Sequence, residues 1–213
     1  MILSPLNGSA GGCADKPLAV RVQQIEFREV TRLTALVTVA QRYHICLGIE
    51  GARQLWDKLT VHMEDVPFSE FLRTVAPSAA IHVDHGIVHL RGRPAGVRTW
   101  LDFPMDFSTE KNLDILLVSN FLLRGSFLAQ AVPGSGGMLG DVLGQHEEVG
   151  PYNLHHMPVR AILDRLVLDS AGGAAWFVRD IFPLRGKPRA NMWDLMLYSQ
   201  PLQVNLATID GAF

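Results

Sequence analysis

Val61-His-Met-Glu-Asp-Val66-Pro67-Phe68-Ser-Glu-Phe71-Leu72-Arg-Thr-Val75 and Tyr152-Asn-Leu-His-His-Met157-Pro158-Val159-Arg-Ala-Ile162-Leu163-Asp-Arg-Leu166 align without a gap, at an offset of 91 residues. In each copy an extended segment passes through an apolar residue and a proline into a helix. The proline suits a helix start, where its missing N–H breaks no bond. Apolar residues then recur at the first, fourth, fifth and eighth positions after it, which places them on one helical face. An apolar strand follows the second copy at Ala174 to Val178. The spacing therefore predicts a β-α-β unit used twice, an internal repeat.

Outward from the first copy, Leu18 to Phe27 alternates imperfectly and predicts a strand that slips face once. Thr31 is placed to cap a helix carrying Leu33, Leu36, Val37 and Ala40 and ending near Tyr43. Ile45 to Ile49 reads as a short returning strand, Leu59 to Met63 as a half-buried one, and 67–76 as the second helix. Ile81-His-Val-Asp-His-Gly-Ile-Val-His-Leu90 predicts a hairpin turning at His85-Gly86, with Asp84 opposite Ile87, Val83 opposite Val88, His82 opposite His89 and Ile81 opposite Leu90. Ile81, Val83, Val88 and Leu90 then share the core face. His82, Asp84 and His89 share a polar face on which Ile87 is the exception.

Arg91-Gly-Arg-Pro-Ala-Gly96 has linker chemistry. Beyond it, Trp100 to Phe107 reads as extended, and Ser108 or Thr109 as the cap of a helix carrying Leu113, Leu116, Leu117, Asn120 and Phe121. Residues 132–144 read as a Gly-rich loop, and Met192 to Tyr198 as a strand closing a second sheet. The expected fold class is α+β: two small modules, each a short mixed sheet packed with one or two helices. The expected division is a flexible lead-in over 1–17, a first module over 18–93, a second over 97–200 and a tail over 201–213.

Composition narrows the function classes. In 213 residues, 48% are hydrophobic and 19% charged, enough apolar material for a buried core and too much for a disordered chain. The formal net charge is -2 with no dense basic run, which argues against nucleic-acid binding. No stretch is long and apolar enough for a membrane span: Leu113 to Leu123 contains Asp114 and Asn120 and stops at Arg124. The first residues lack a basic start and a continuous apolar run, so they are not read as a secretory signal, although small residues lead into Cys13 as they do at a bacterial lipoprotein processing site. Two cysteines, Cys13 and Cys46, are too few for a disulfide framework, and Cys46 reads as a buried small hydrophobe.

The first half resembles the short N-terminal domain of secretins and TonB-dependent receptors, the STN domain. The resemblance rests on Leu33-Thr-Ala-Leu36-Val-Thr-Val-Ala40-Gln-Arg-Tyr-His-Ile-Cys-Leu-Gly-Ile49, on Leu59-Thr-Val-His-Met63-Glu-Asp-Val66-Pro67-Phe68-Ser-Glu-Phe71-Leu72, and on the Asp-His-Gly turn of the hairpin. It covers about 70 residues, with a fainter stretch of about 30 in the second half. It implies small α+β modules that dock other envelope components in the periplasm and carry no catalytic residues. No barrel, pore domain or spanning anchor follows Phe213, so the expectation is a stand-alone two-module protein. It would be periplasmic if an export signal lies upstream of this start, and cytoplasmic otherwise.

Candidate chemistry is sparse. His62, His82 and His89, with Asp84 nearby, offer imidazoles and a carboxylate to zinc or copper, yet no cysteine or second carboxylate cluster completes a tetrahedral site, and a solvated sheet face is the preferred reading. His155-His156 points to opposite sides of a regular strand. Gly134-Ser-Gly-Gly-Met-Leu-Gly140 lacks the Gly-Lys-Ser/Thr ending of a phosphate loop, and Ser135 has no nucleophile elbow around it. The expectation is therefore no catalytic residue, no cofactor and no metal. Partners would be envelope proteins or further copies of the chain, captured at exposed strand edges, the hairpin around Asp84-His85-Gly86 and the strand 192–198. The alternative is a small metal-binding or hydrolytic protein built on His62, His82 and His89.

Overall fold

Thr31 does cap the first helix: its hydroxyl accepts from the Thr34 backbone N–H at 3.1 Å, and α1 runs Arg32–Arg42 to a cap at Tyr43. The structure is a computed structural model that describes residues 12–51, 53–92, 100–102, 104–114, 117, 136–144, 148–170, 174–181 and 192–199. Before α1 lie β1 (Arg21–Val22) and β2 (Ile25–Thr31), two short strands where the alternation slips. After it come β3 (Cys46–Glu50), β4 (Lys58–Met63), β5 (Val66–Pro67), α2 (Phe68–Val75), and the hairpin of β6 (Ala80–Asp84) and β7 (Ile87–Arg91). The hairpin pairs in the register expected from its sequence, Ile81 with Leu90 through Asp84 with Ile87. Its turn residues His85 and Gly86 sit at φ 46° and 82°, as a two-residue turn of this hand requires.

The second half supplies β8 (Pro104–Ser108), β9 (Leu113–Asp114), β10 (Gly136–Gly144), β11 (Glu148–Val149), β12 (Asn153–Pro158), α3 (Val159–Asp169), β13 (Ala175–Ile181) and β14 (Met192–Ser199). Pro67 and Pro158 are both helix N-caps, and the residues two places before them, Asp65 and His156, both take left-handed φ, 47° and 50°. So the repeat extends to the backbone conformation.

The α+β class stands, but the two modules do not own separate sheets. Six strands form one sheet in the order β10-β14-β13-β3-β7-β6, in which β13 of the second half pairs in parallel with β3 of the first, Ala175 opposite Leu47 through Val178 opposite Glu50. The small pairs β2-β4 and β8-β12 lie apart from it. The sheet has a core on each side. Leu47, Ile49, Val88, Leu90, Ala175 and Phe177 belong to the core that contains α1 and α2, while Cys46, Ile87, Trp176 and Val178 belong to the one that contains α3. With a core on each side β3 is buried from end to end, its Cys46-Leu-Gly-Ile49 being apolar and its Glu50 paired with Arg160.

Other expectations are corrected. Residues 136–144, read as a loop, form β10 because β14 supplies a parallel neighbour. Leu113, expected in a helix, is in β9, and Trp100–Asp102, expected extended, is a 3-10 turn. The lead-in is tied down from residue 13. Cys13 and Cys46 form a disulfide with Cα atoms 5.4 Å apart, the Ala14 N–H donates to the His44 carbonyl, and Pro17 is buried. Leu117 is helical, as expected, while the linker after Gly92, the other residues of the helix expected after Thr109 and the tail lie outside the described residues.

Candidate functional site

The polar face of the hairpin is where sequence and structure part. His89 is only 2% exposed, because α3 lies over β7, and Ile87 beside it enters the second core. His82, its cross-strand partner on the edge strand β6, is exposed. His62 lies on β4 in a different sheet, against Glu64 at 3.1 Å. The three histidines therefore do not converge, and among the described residues no group of His, Cys, Asp and Glu could hold a metal ion.

Under α3 the structure instead assembles a buried polar seam. Asp164 accepts from the Trp176 indole N–H at 2.8 Å, and its other oxygen is 3.5 Å from His89 Nε2. His89 Nδ1 has no hydrogen-bond partner and faces Gly48, so the proton belongs on Nε2, directed at Asp164. Burial lowers the His89 pKa to about 4, helped by the positive charges of Arg91 and Arg160, and burial raises that of Asp164 to about 7. Further along α3, Arg160 makes a two-pronged contact with Glu50 of β3 at 2.7 and 3.0 Å and also binds Asp102. Burial alone would make Arg160 easier to deprotonate, but Glu50 and Asp102 outweigh it and raise its pKa. Arg91 completes the set at 3.3 Å from Glu50. Glu50 and Asp102 are paired with Arg160 and Arg91, and Asp164 is held by the Trp176 N–H, so the seam links α3 to β3 and β13 across the two halves. Sequence reading set Asp164 aside because it and Asp169, five residues apart on a helix, do not share a face, although Ile87 on an otherwise polar strand face already signalled a second layer.

Solvent meets the molecule at the sheet's end and beside it. Among the described residues β6 and β10 are the end strands of the sheet, whereas β14, expected at an edge, is paired on both sides. β6 pairs with β7 without any register shift, and Ala80, Ile81, His82 and Asp84 are all exposed. A two-residue turn makes Asp84 and Ile87 a hydrogen-bonded pair, and pairs alternate along an antiparallel ladder, so the N–H and C=O groups of Ile81 and Val83 point away from β7. β6 carries no proline, lysine or bulge, and its one charge is Asp84 at the turn. Its turn borders a groove of about 800 Å³, walled by Asp84 and His85 on one side and by Pro151, Tyr152, Leu154, Asp164, Arg165 and Leu168 on the other. The groove mixes apolar and charged walls.

His155 and His156 lie in β12 at its register shift with β8, where the His156 N–H donates to Asp106 at 2.7 Å. Compared with family models, curated proteins and solved structures, the chain matches none.

Proposed function

We propose that this protein is a non-catalytic interaction and assembly module of the cell envelope, related in kind to the STN domains it resembles, and that it captures a partner by strand addition at β6. The observation that carries the reading is the regular β6 strand, at the end of the sheet among the described residues, with the backbone groups of Ile81 and Val83 directed away from β7. The disulfide between Cys13 and Cys46 supports an oxidising compartment such as the periplasm, since thiols are kept reduced in the cytosol. The dispersal of His62, His82 and His89 over two sheets and two environments speaks against the metal-binding alternative.

A photo-reactive residue at His82, compared with one at exposed Arg73 on α2, tests this in the native cells. Cross-linked products are expected from position 82 alone. Equal products from both positions, or none from 82, overturn the reading. Val88 and Leu195 sit on interior strands, so a proline there would break the sheet itself, and Ile81→Pro is the variant that addresses the edge. His82→Gln should leave capture intact, whereas replacing His89 acts on the fold.

A further inference from the structure

The six-stranded sheet is one three-stranded pattern used twice. In the first half β3 is parallel to β7, and β7 is antiparallel to β6; in the second, β10 is parallel to β14, and β14 is antiparallel to β13. The order β10-β14-β13 followed by β3-β7-β6 makes β10 the counterpart of β3, and β13 the counterpart of β6. The contact that joins the halves is thus β13 against β3, in parallel. The two end strands, β6 and β10, are the counterparts of the two strands already joined at the centre.

We propose that the β6 edge of one molecule takes the β10 edge of a second copy of this chain, in parallel, so that the sheet continues head to tail from molecule to molecule. This rests on the reading of β6 as a capture edge and names its occupant. Strand directions permit it. β6 runs opposite to β3, and β10 runs opposite to β13 and hence to β3, so β6 and β10 of one molecule already point the same way. A second copy placed in the same orientation presents its β10 parallel to β6. The length also fits: the internal junction uses four residue pairs, and β10 offers Gly136 to Leu139 in unbroken register before its shift. Joining unlike edges is a heterologous contact, which leaves a free β6 and a free β10 at the ends and so builds open chains or rings.

The outer junction is the weaker one. β13 turns Ala175 and Phe177 towards the core of the neighbouring half, whereas the corresponding face of β6 carries Ala80, His82 and Asp84. Less apolar area is buried, so assembly is reversible and follows concentration.

The test uses the full oxidised chain. Sedimentation equilibrium should show the average mass rising with concentration beyond that of a dimer, and Ile81→Pro should return it to the monomer. A mixture of two single variants, Ile81→Cys and Met138→Cys, should form a mixed disulfide-linked dimer under mild oxidation, because only neighbouring strands bring such Cα atoms within bonding range. Homodimers of Ile81→Cys without the mixed species would mean that like edges pair, and would overturn the proposal. So would a chain that stays monomeric with no mixed dimer. In that case, a surviving cross-link from position 82 to another protein leaves the capture reading standing, and its loss removes both.

Discussion

Gly48→Ala is the sharpest test of the shared sheet. Gly48 lies on β3 directly opposite Trp176 on β13, at the join between the halves. A Cβ there would stand 2.6 Å from Trp176 Cζ2 and 2.8 Å from His89 Nδ1, so one of the two rings must retreat. Neither is a flexible chain end. The indole is fully buried and held by its N–H to Asp164, and the imidazole is packed under α3. Inserting a methyl into a filled core costs about 1–3 kcal/mol. Replacing glycine by alanine within a strand returns about 0.5–1 kcal/mol of backbone entropy. The first range less the second leaves a net loss of roughly 0–2.5 kcal/mol, and the approach to two held rings places it towards the upper end. Urea denaturation, followed by tryptophan fluorescence and by far-ultraviolet circular dichroism, measures it. Because the strained contact spans both halves, a single transition should shift as one in both signals. A net gain in stability, or two separate transitions of which only one moves, would refute the join.

Leu72 and Leu163 occupy the same place in the repeat and are both fully buried, so Ala at either should cost about 2–5 kcal/mol by denaturant unfolding; a loss below about 0.5 kcal/mol at either site would break the equivalence. The seam makes a signed pH prediction. His89, with its pKa lowered to about 4, adds stability as pH rises from 4 towards 6.5, and Asp164, with its pKa raised to about 7, removes it as pH rises from 3.8 towards 7. Relative to the unaltered protein, Asp164→Asn should therefore gain stability with rising pH across this window and His89→Gln should lose it, by at most about 1.4 kcal/mol per pH unit; slopes of the same sign in the two variants would refute the assignment. Reducing the Cys13–Cys46 bond, which closes a separation of 33 residues, should cost about 3–4 kcal/mol in the chain-entropy model, read as a lower melting temperature with reductant. Two titratable thiols in the unreduced, unfolded protein would show that the bond is absent.

What sequence determined by itself is local. The hairpin register follows from strict alternation on either side of a two-residue turn, because a slip by one residue would turn Val83 and Val88 out of the core. Both proline-led helices and the Thr31 cap follow from backbone groups that must be satisfied or omitted within a few residues of each other. These fix the α+β class and reveal the repeat. Tertiary structure decided the rest, because its contacts join residues far apart in the chain. Parallel pairing of β13 with β3 leaves no turn signal between them, and with no such signal the two patterns read as two sheets. The same contact brings α3 over the hairpin, which converts His89 from a surface histidine into a buried neutral one and gives Asp164 and Trp176 their partner. Only then does the apolar Ile87 on a polar strand face make sense. β10 is the clearest case. Glycine weakens a strand wherever it occurs, so Gly136–Gly144 reads as a loop in isolation and becomes a strand through the ladder that β14 offers it.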